Sequence, residues 1–313
     1  MENDHINQHY AKLLGLGDEW KVTKVDLNVL GRKLDIFLEY AAEAAICPVC
    51  GKLGDVYDQQ PERVWRHLDT MQFETLIHAK TPRVKCADHK VKVIELPWAS
   101  KSSHFTLLFE AFAIDVLKAA RSIKDARQLL RLSWWQTQEI MKAAVERGLA
   151  RREGEEITFV GLDEKSFLKG MKSDAFACIM TDIDNRRVLD VARGRTGKGA
   201  ETLINKALDP FQPYMVGGVA MDMSAWYEQV MKSGLKHMIK VANTLKDHLY
   251  GLLAWFDTRI NNALTEGFNT TIQALKATAK GYRNFENFRT VILFYCGKLD
   301  MRPDFVRVGS TIE

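Results

Sequence analysis

The chain has 313 residues, 46% of them hydrophobic and 27% charged, with a formal net charge of +4 at pH 7. That is the composition of an ordinary globular protein, long enough for about two or three domains and a sizeable core. No apolar run reaches the roughly 18 residues of a membrane span, and the opening MENDHINQHYAKLL lacks a basic-then-apolar signal region, so a cytoplasmic location is expected. A pI near 8.7 permits a polyanionic partner without requiring one. Five cysteines, an odd number without a secretion signal, argue against a disulfide framework.

Residues 20–41 alternate apolar and polar side chains on either side of Leu30-Gly31-Arg32, which predicts a β-hairpin. Two further strands are predicted at 75–79 and 83–86, with Pro82 between them, followed by a loop holding Pro97, Ser100, Ser102 and Ser103. Residues 1–105 thus read as a small β-rich domain. From Leu107 the period becomes helical, with Phe109, Phe112, Ala113, Val116 and Leu117 as one stripe. Ser122 is placed to cap a second helix, IKDARQLLRL, and Ser133 a third, WWQTQEIMKAAVERGL, which Gly148 would help to end. The charged RREGEE then marks a boundary near 153.

Strands return in ITFVGLDE, DAFACIMTD and RRVLDVA; a helix, GAETLINKAL, precedes a fourth apolar run, VGGVAMDM. From Ala225 onward nearly everything reads as helix, and no internal repeat or low-complexity segment is present. The fold class is therefore α/β with an α-rich C-terminus, divided as 1–105, 106–153 and 154–313.

CPVCG supplies Cys47 and Cys50 at the Cys-x-x-Cys spacing of a zinc knuckle, and Cys86 and His89 repeat the spacing further on. Each tight turn presents two ligands to one ion, so the four complete a tetrahedron. His67, His78 and Asp88 lie close enough in sequence to compete. Cys178 and Cys296 sit in apolar runs, as core thiols do.

Helix, short turn, helix is the organisation at 122–148. The second helix carries Trp134, Gln136, Thr137, Gln138, Lys142 and Arg147. Polar side chains such as Gln136 and Gln138 suit base edges in a major groove, and Lys142 and Arg147 suit phosphates. A plain helical hairpin has the same pattern, and the neighbouring zinc unit tilts the balance toward DNA.

Asp163 and Asp222 each end a buried apolar run. Strand-end carboxylates suit a pair of Mg²⁺ ions, because hard cations prefer oxygen ligands. After Asn261-Asn262, Glu266, Asn269, Gln273, Lys276 and Lys280 share one helix face, while Phe268, Ile272, Leu275 and Ala279 share the other. Strand-end Asp residues also form turns, and Glu266 also suits a solvated face; the residues alone leave both readings open.

The motifs CPVCG, GLDEKSFLKG and VAMDM, and above all NNALTEGFNTTIQALKATAKGYRNFENFRTVILFYCGKLD, resemble the insertion-sequence L-three transposase family. The resemblance runs across almost the whole chain. It implies an N-terminal zinc finger and a helix-turn-helix for terminal inverted repeats. It also implies an RNase H-like catalytic domain in which Asp163, Asp222 and Glu266 are the catalytic carboxylates and hold Mg²⁺ or Mn²⁺. Inverted-repeat and target DNA, and a second copy of the chain, are the expected partners. Family members place a further strand and a long helical insertion between the second Asp and the Glu, whereas 43 residues separate Asp222 from Glu266 here. That interval reads as an internal deletion. Three functions compete: an active transposase, a DNA-binding remnant that represses a full-length relative, and a zinc-containing nuclease of other purpose.

Overall fold

The structure, a computed structural model, describes residues 2–152, 156–168, 173–194, 202–204, 218–221, 230–232, 239, 243, 263–279 and 281–304, with backbone alone at 2–4, 173, 218–221 and 263–266. The chain divides into two compact units, Met1–Val116 with Arg302–Glu313, and Leu117–Met301.

The first unit holds α1 (Glu2–Leu13), β1 (Trp20–Asn28), β2 (Lys33–Tyr40), β3 (Ala44–Ile46), β4 (Leu53–Arg66), β5 (Glu74–Cys86), β6 (Lys90–Val93) and most of α2 (Leu107–Ala119). Its strands form one sheet ordered β1-β2-β5-β4-β3, with β6 also on β5. β1 and β2 are the hairpin expected at 20–41. Its turn closes because the Asn28 side chain accepts the Gly31 N–H at 2.8 Å and Arg32 takes a φ of 49°. Alternation along β2 sends Leu34, Ile36 and Leu38 into a core built around Trp20, Trp65 and Trp98. The Trp98 ring meets those of Trp20 and Trp65 edge-on, with centroids 4.6 and 5.8 Å apart.

Three expectations change here. The strands predicted at 75–79 and 83–86 are one continuous strand, β5, that runs through Pro82. Proline is tolerated because the β2 pairing ends at Ala79 and the β6 pairing begins at Arg83, so its missing N–H falls between two partners. β4 was not anticipated: its polar sequence LGDVYDQQPERVWR has no clean alternation, and register shifts fall between Val56 and Asp58 and between Gln59 and Glu62, around Pro61. In α2 the buried stripe includes Phe109, Ala113, Ile114 and Leu117, and Phe112 is 50% exposed. Burial of Glu110 and Ile114 turns the stripe away from Phe112.

The second unit holds α3 (Ile123–Leu130), α4 (Trp134–Ala150), β7 (Phe159–Ser166), β8 (Phe176–Asp182), β9 (Arg187–Arg193), β10 (Gly218–Met221), α5 (Ala263–Thr278) and α6 (Phe285–Cys296). Ser122 and Ser133 cap α3 and α4 as expected, the latter in a capping box with Gln136. The sheet order is β10-β7-β8-β9; β7, β8 and β9 are successive antiparallel neighbours, and β10 lies parallel to β7. β8 is buried at almost every position, as a strand covered on both faces must be. α6 is tied to β9 by Arg289, whose Nε and Nη2 donate to the two Asp190 carboxylate oxygens at 2.5 and 3.0 Å.

Gly148 does not end α4. It lies inside the helix, and a Cβ there would come within 2.6 Å of the Leu299 side chain, so glycine lets the chain after α6 press against α4. Of the predicted GAETLINKAL helix the described residues are 202–204, which are helical. The proposed deletion between Asp222 and Glu266, and most of the predicted helix after Ala225, lie outside the described residues. Among the described residues no helix is long and apolar enough to cross a membrane.

Candidate functional site

The pairing of β4 with β5 sets Asp55 beside Lys85, which brings the β3–β4 turn and the β5–β6 turn to the same end of the sheet. In the first turn the Cys47 N–H donates to the Lys52 carbonyl and the Gly51 N–H to the Cys47 carbonyl, both at 2.9 Å. Gly51 takes a φ of +70°, which its lack of a Cβ makes easy. Cys86 closes β5, and His89 lies in the next turn.

The ligand atoms of Cys47, Cys50, Cys86 and His89 all lie within 4.8 Å of one another. Cys50 Sγ and Cys86 Sγ are 3.7 Å apart, and His89 Nδ1 lies 3.6 Å from Cys86 Sγ and 3.9 Å from Cys47 Sγ. A tetrahedron with Zn–S near 2.3 Å and Zn–N near 2.0 Å has edges of about 3.8 Å between sulfurs and about 3.6 Å between sulfur and nitrogen. The cluster fits zinc in shape and donor chemistry. The backbone N–H groups of Val49 and Cys50 bring the Cys47 thiol down to about 6, favouring the thiolate that a metal needs.

The competing residues have other partners. His67 bonds Thr106 Oγ1 at 2.9 Å, His78 bonds Asp35 at 2.7 Å, and Asp88 pairs with Lys52 at 2.8 Å. Cys178 and Cys296 are buried, and burial pushes their thiols up to about 12 and about 11.

On α4 the expected DNA-facing set divides. Lys142 is exposed, on a face shared with Trp135, Glu139 and Glu146. The Gln136 carboxamide oxygen accepts the Ser133 N–H at 2.9 Å, which commits it to the cap. Gln138 departs from the expectation: it is 7% exposed, turned into the unit beside Thr137 and Met141, and neither side-chain polar atom has a partner among the described residues. Arg147 also departs, because its Nη1 donates to the Met301 carbonyl at 2.6 Å. Arg121 and Lys124, at the start of α3, are exposed cations that the helical pattern did not single out.

Asp163 lies three residues before the end of β7 and is half-buried. Its Oδ1 accepts the Glu164 N–H at 2.6 Å, and its Oδ2 accepts a hydrogen bond from the Asn269 side-chain amide. Further along, the Lys276 ammonium donates to the Ser166 carbonyl at 2.7 Å; burial, and then the charge of Lys165, hold that ammonium below its usual range. Asn269 is 8% exposed and Ile272 is fully buried. α5 is therefore clasped to β7 by the polar Asn269 and Lys276, and of the apolar docking residues expected, Phe268, Ile272 and Leu275, Ile272 is fully buried. Phe268 and Leu275 are half-buried. The three-then-four spacing of Asn269, Ile272 and Lys276 was the available sequence signal. Asp222 lies outside the described residues, as does the side chain of Glu266; the backbone of Glu266 lies in α5, one turn before Asn269.

Comparison with known proteins matches three parts of the chain. Residues 43–89 match the zinc-finger of the transposases of IS204, IS1001, IS1096 and IS1165, and residues 94–145 match the helix-turn-helix domain of transposase family ISL3. Residues 160–230 and 224–292 match the ISL3 transposase model of the Asp-Asp-Glu type. The transposase for insertion sequence element IS1001 of Bordetella parapertussis is 41% identical over 63 residues, a stretch covering 20% of this chain and 16% of that relative's length.

Proposed function

Because this chain belongs to the ISL3 transposase family, we propose that it is a DNA transposase of the cytoplasm that binds the terminal inverted repeats of an insertion sequence and cuts and joins DNA strands. Cys47, Cys50, Cys86 and His89 hold a structural zinc that fixes the N-terminal sheet. The α3–α4 pair meets duplex DNA through its exposed face, with Lys142, Arg121 and Lys124 as phosphate contacts. Asp163, Asp222 and Glu266 hold Mg²⁺ or Mn²⁺, and two copies of the chain act on the two element ends. When bound, the ions activate an attacking water or 3′-hydroxyl and stabilise the leaving oxygen.

The observation that carries the catalytic reading is the bond from Asn269 to Asp163, which ties the helix bearing Glu266 to the strand bearing Asp163. The sheet supports it too. Met221 pairs in parallel with Leu162, and each of these residues is followed in the chain by an Asp. Three antiparallel strands with a fourth parallel to the first, in the order β9-β8-β7-β10, are consistent with an RNase H-like domain.

A specific observation also favours the second reading, a DNA-binding remnant that represses a full-length relative. The interval between Asp222 and Glu266 is 43 residues, and the family match falls in two stretches that overlap at 224–230. A cleavage and strand-transfer assay on candidate terminal repeats with Mg²⁺ or Mn²⁺ separates the two. Strand transfer by the wild type that Asp163→Ala abolishes establishes the transposase; repeat binding by both proteins without any cleavage establishes the remnant.

A further inference from the structure

Two polar contacts clasp α5 to β7. Asn269 donates to Asp163, and Lys276 donates to the Ser166 carbonyl at 2.7 Å. From Asp163 to Ser166 a strand advances about 10 Å. From Asn269 to Lys276 a helix rises about 10.5 Å. The two clasps are thus in step, helix and strand run in the same direction, and the fully buried Ile272 lies between Asn269 and Lys276 along the helix. Lys276 holds backbone, whereas Asn269 holds a carboxylate.

The choice of residue at 269 has chemical content. A carboxylate has about four lone-pair positions. Here the Glu164 N–H donates to Oδ1 and the Asn269 amide to Oδ2, which fixes the rotation of the group. A lysine or arginine at 269 would also hold Asp163, but its charge would compete with a cation. A neutral amide orients the carboxylate without neutralising it. Asn269 is nearly buried, so a solvated amide role does not explain it.

We infer that Asn269 is a positioning residue of the metal centre: it sets the Asp163 carboxylate and fixes the helix of Glu266 one turn away. This rests on the reading of Asp163 as a metal ligand. Outer partners of metal-binding carboxylates commonly contribute 10–100-fold to metal affinity.

The test is Mn²⁺ binding by the zinc-replete full chain, followed by electron paramagnetic resonance, with no catalytic readout required. Wild type should bind Mn²⁺, Asp163→Asn should bind it far more weakly, and Asn269→Leu should weaken it by about 10–100-fold. Asn269→Gln keeps an amide donor on a longer stem and should recover part of the loss, which a packing role alone would not produce. Leucine keeps the branching of asparagine at Cγ but is larger, and a thermal melt checks that α5 stays docked; should that variant fail to fold, Asn269→Ser is read in its place with the same expectation. Wild-type affinity in Asn269→Leu, alongside a loss in Asp163→Asn, overturns the inference alone. Wild-type affinity in Asp163→Asn, or no Mn²⁺ uptake by the wild type, overturns the reading of the site and the inference with it.

Discussion

Replacing Cys47 with Ser removes one of four ligands from a site whose ligand atoms lie within 4.8 Å of one another, three of the pairs at 3.6–3.9 Å. A structural zinc contributes about 10–16 kcal/mol in apparent binding energy, so one ligand's share is about 3 kcal/mol. That corresponds to about a hundredfold loss of zinc affinity. The loss reaches the fold because Cys47 and Cys86 are buried, at 1% and 7% exposed, in the same cluster as Ala45 and Val84. In the knuckle the backbone closes on itself through the Cys47 N–H to Lys52 carbonyl and Gly51 N–H to Cys47 carbonyl bonds, each of which contributes only about 1 kcal/mol. Taking about 4 °C or more per kcal/mol for a domain of this size, the melting temperature of the first unit should fall by about 12 °C or more. Elemental analysis of protein purified without chelator should give about one zinc per wild-type chain and much less in the variant. His78→Ala, which breaks the contact with Asp35 instead, should keep its zinc. Wild-type protein without zinc, or Cys47→Ser with full zinc and an unchanged melt, would refute the reasoning.

Thiol titration offers an independent check: after chelation Cys47, Cys50 and Cys86 should react, whereas Cys178 and Cys296 should react only on unfolding, since burial pushes both thiols up; rapid reaction of all five in the folded chain counts against this. Arg289→Met removes the two-pronged guanidinium from the Asp190 carboxylate, 3% exposed, and should destabilise the second unit by about 3 kcal/mol in urea titration. Arg83→Met, at an exposed pair with Asp58, should change the first unit by about 1 kcal/mol or less; similar losses in the two variants would defeat the burial argument. Burial, and then Arg66, bring His67 down to about 4 from 6.5. The unfolded chain therefore takes up the proton first, and stability should fall as pH drops from about 6.5 to 4, by up to about 3 kcal/mol; His67→Gln should flatten that slope, and an unchanged slope would exclude the histidine. For DNA, Lys142→Ala should reduce the salt dependence of binding by about 0.9 in log–log slope. Arg147→Ala should instead lower stability by about 1.5–3 kcal/mol and leave the slope alone, because its guanidinium holds the Met301 carbonyl; the opposite pattern would return Arg147 to the DNA face.

Sequence by itself determined the features that depend on near neighbours. Cys47 and Cys50 share one turn, Ser122 and Ser133 cap helices within three residues of themselves, and the runs around Asp163 and Cys178 are apolar enough to be strands in any context. Spacing also paired Cys86 with His89, although the choice among His67, His78 and His89 needed the β4–β5 register that carries Cys86 back to Cys47. Tertiary structure alone decided what each side chain faces. A Gln on a polar helix face reads as a DNA contact until its surroundings bury it, as happens to Gln138. Arg147 reads as a phosphate ligand until the Met301 carbonyl, 154 residues away, takes its proton donor. Asn269 reads as a solvated residue until Asp163 stands opposite it. Helical periodicity ranks side chains by polarity, and a buried polar group with a partner obeys hydrogen-bond geometry instead. That partner lies far along the chain, where local pattern carries no information about it.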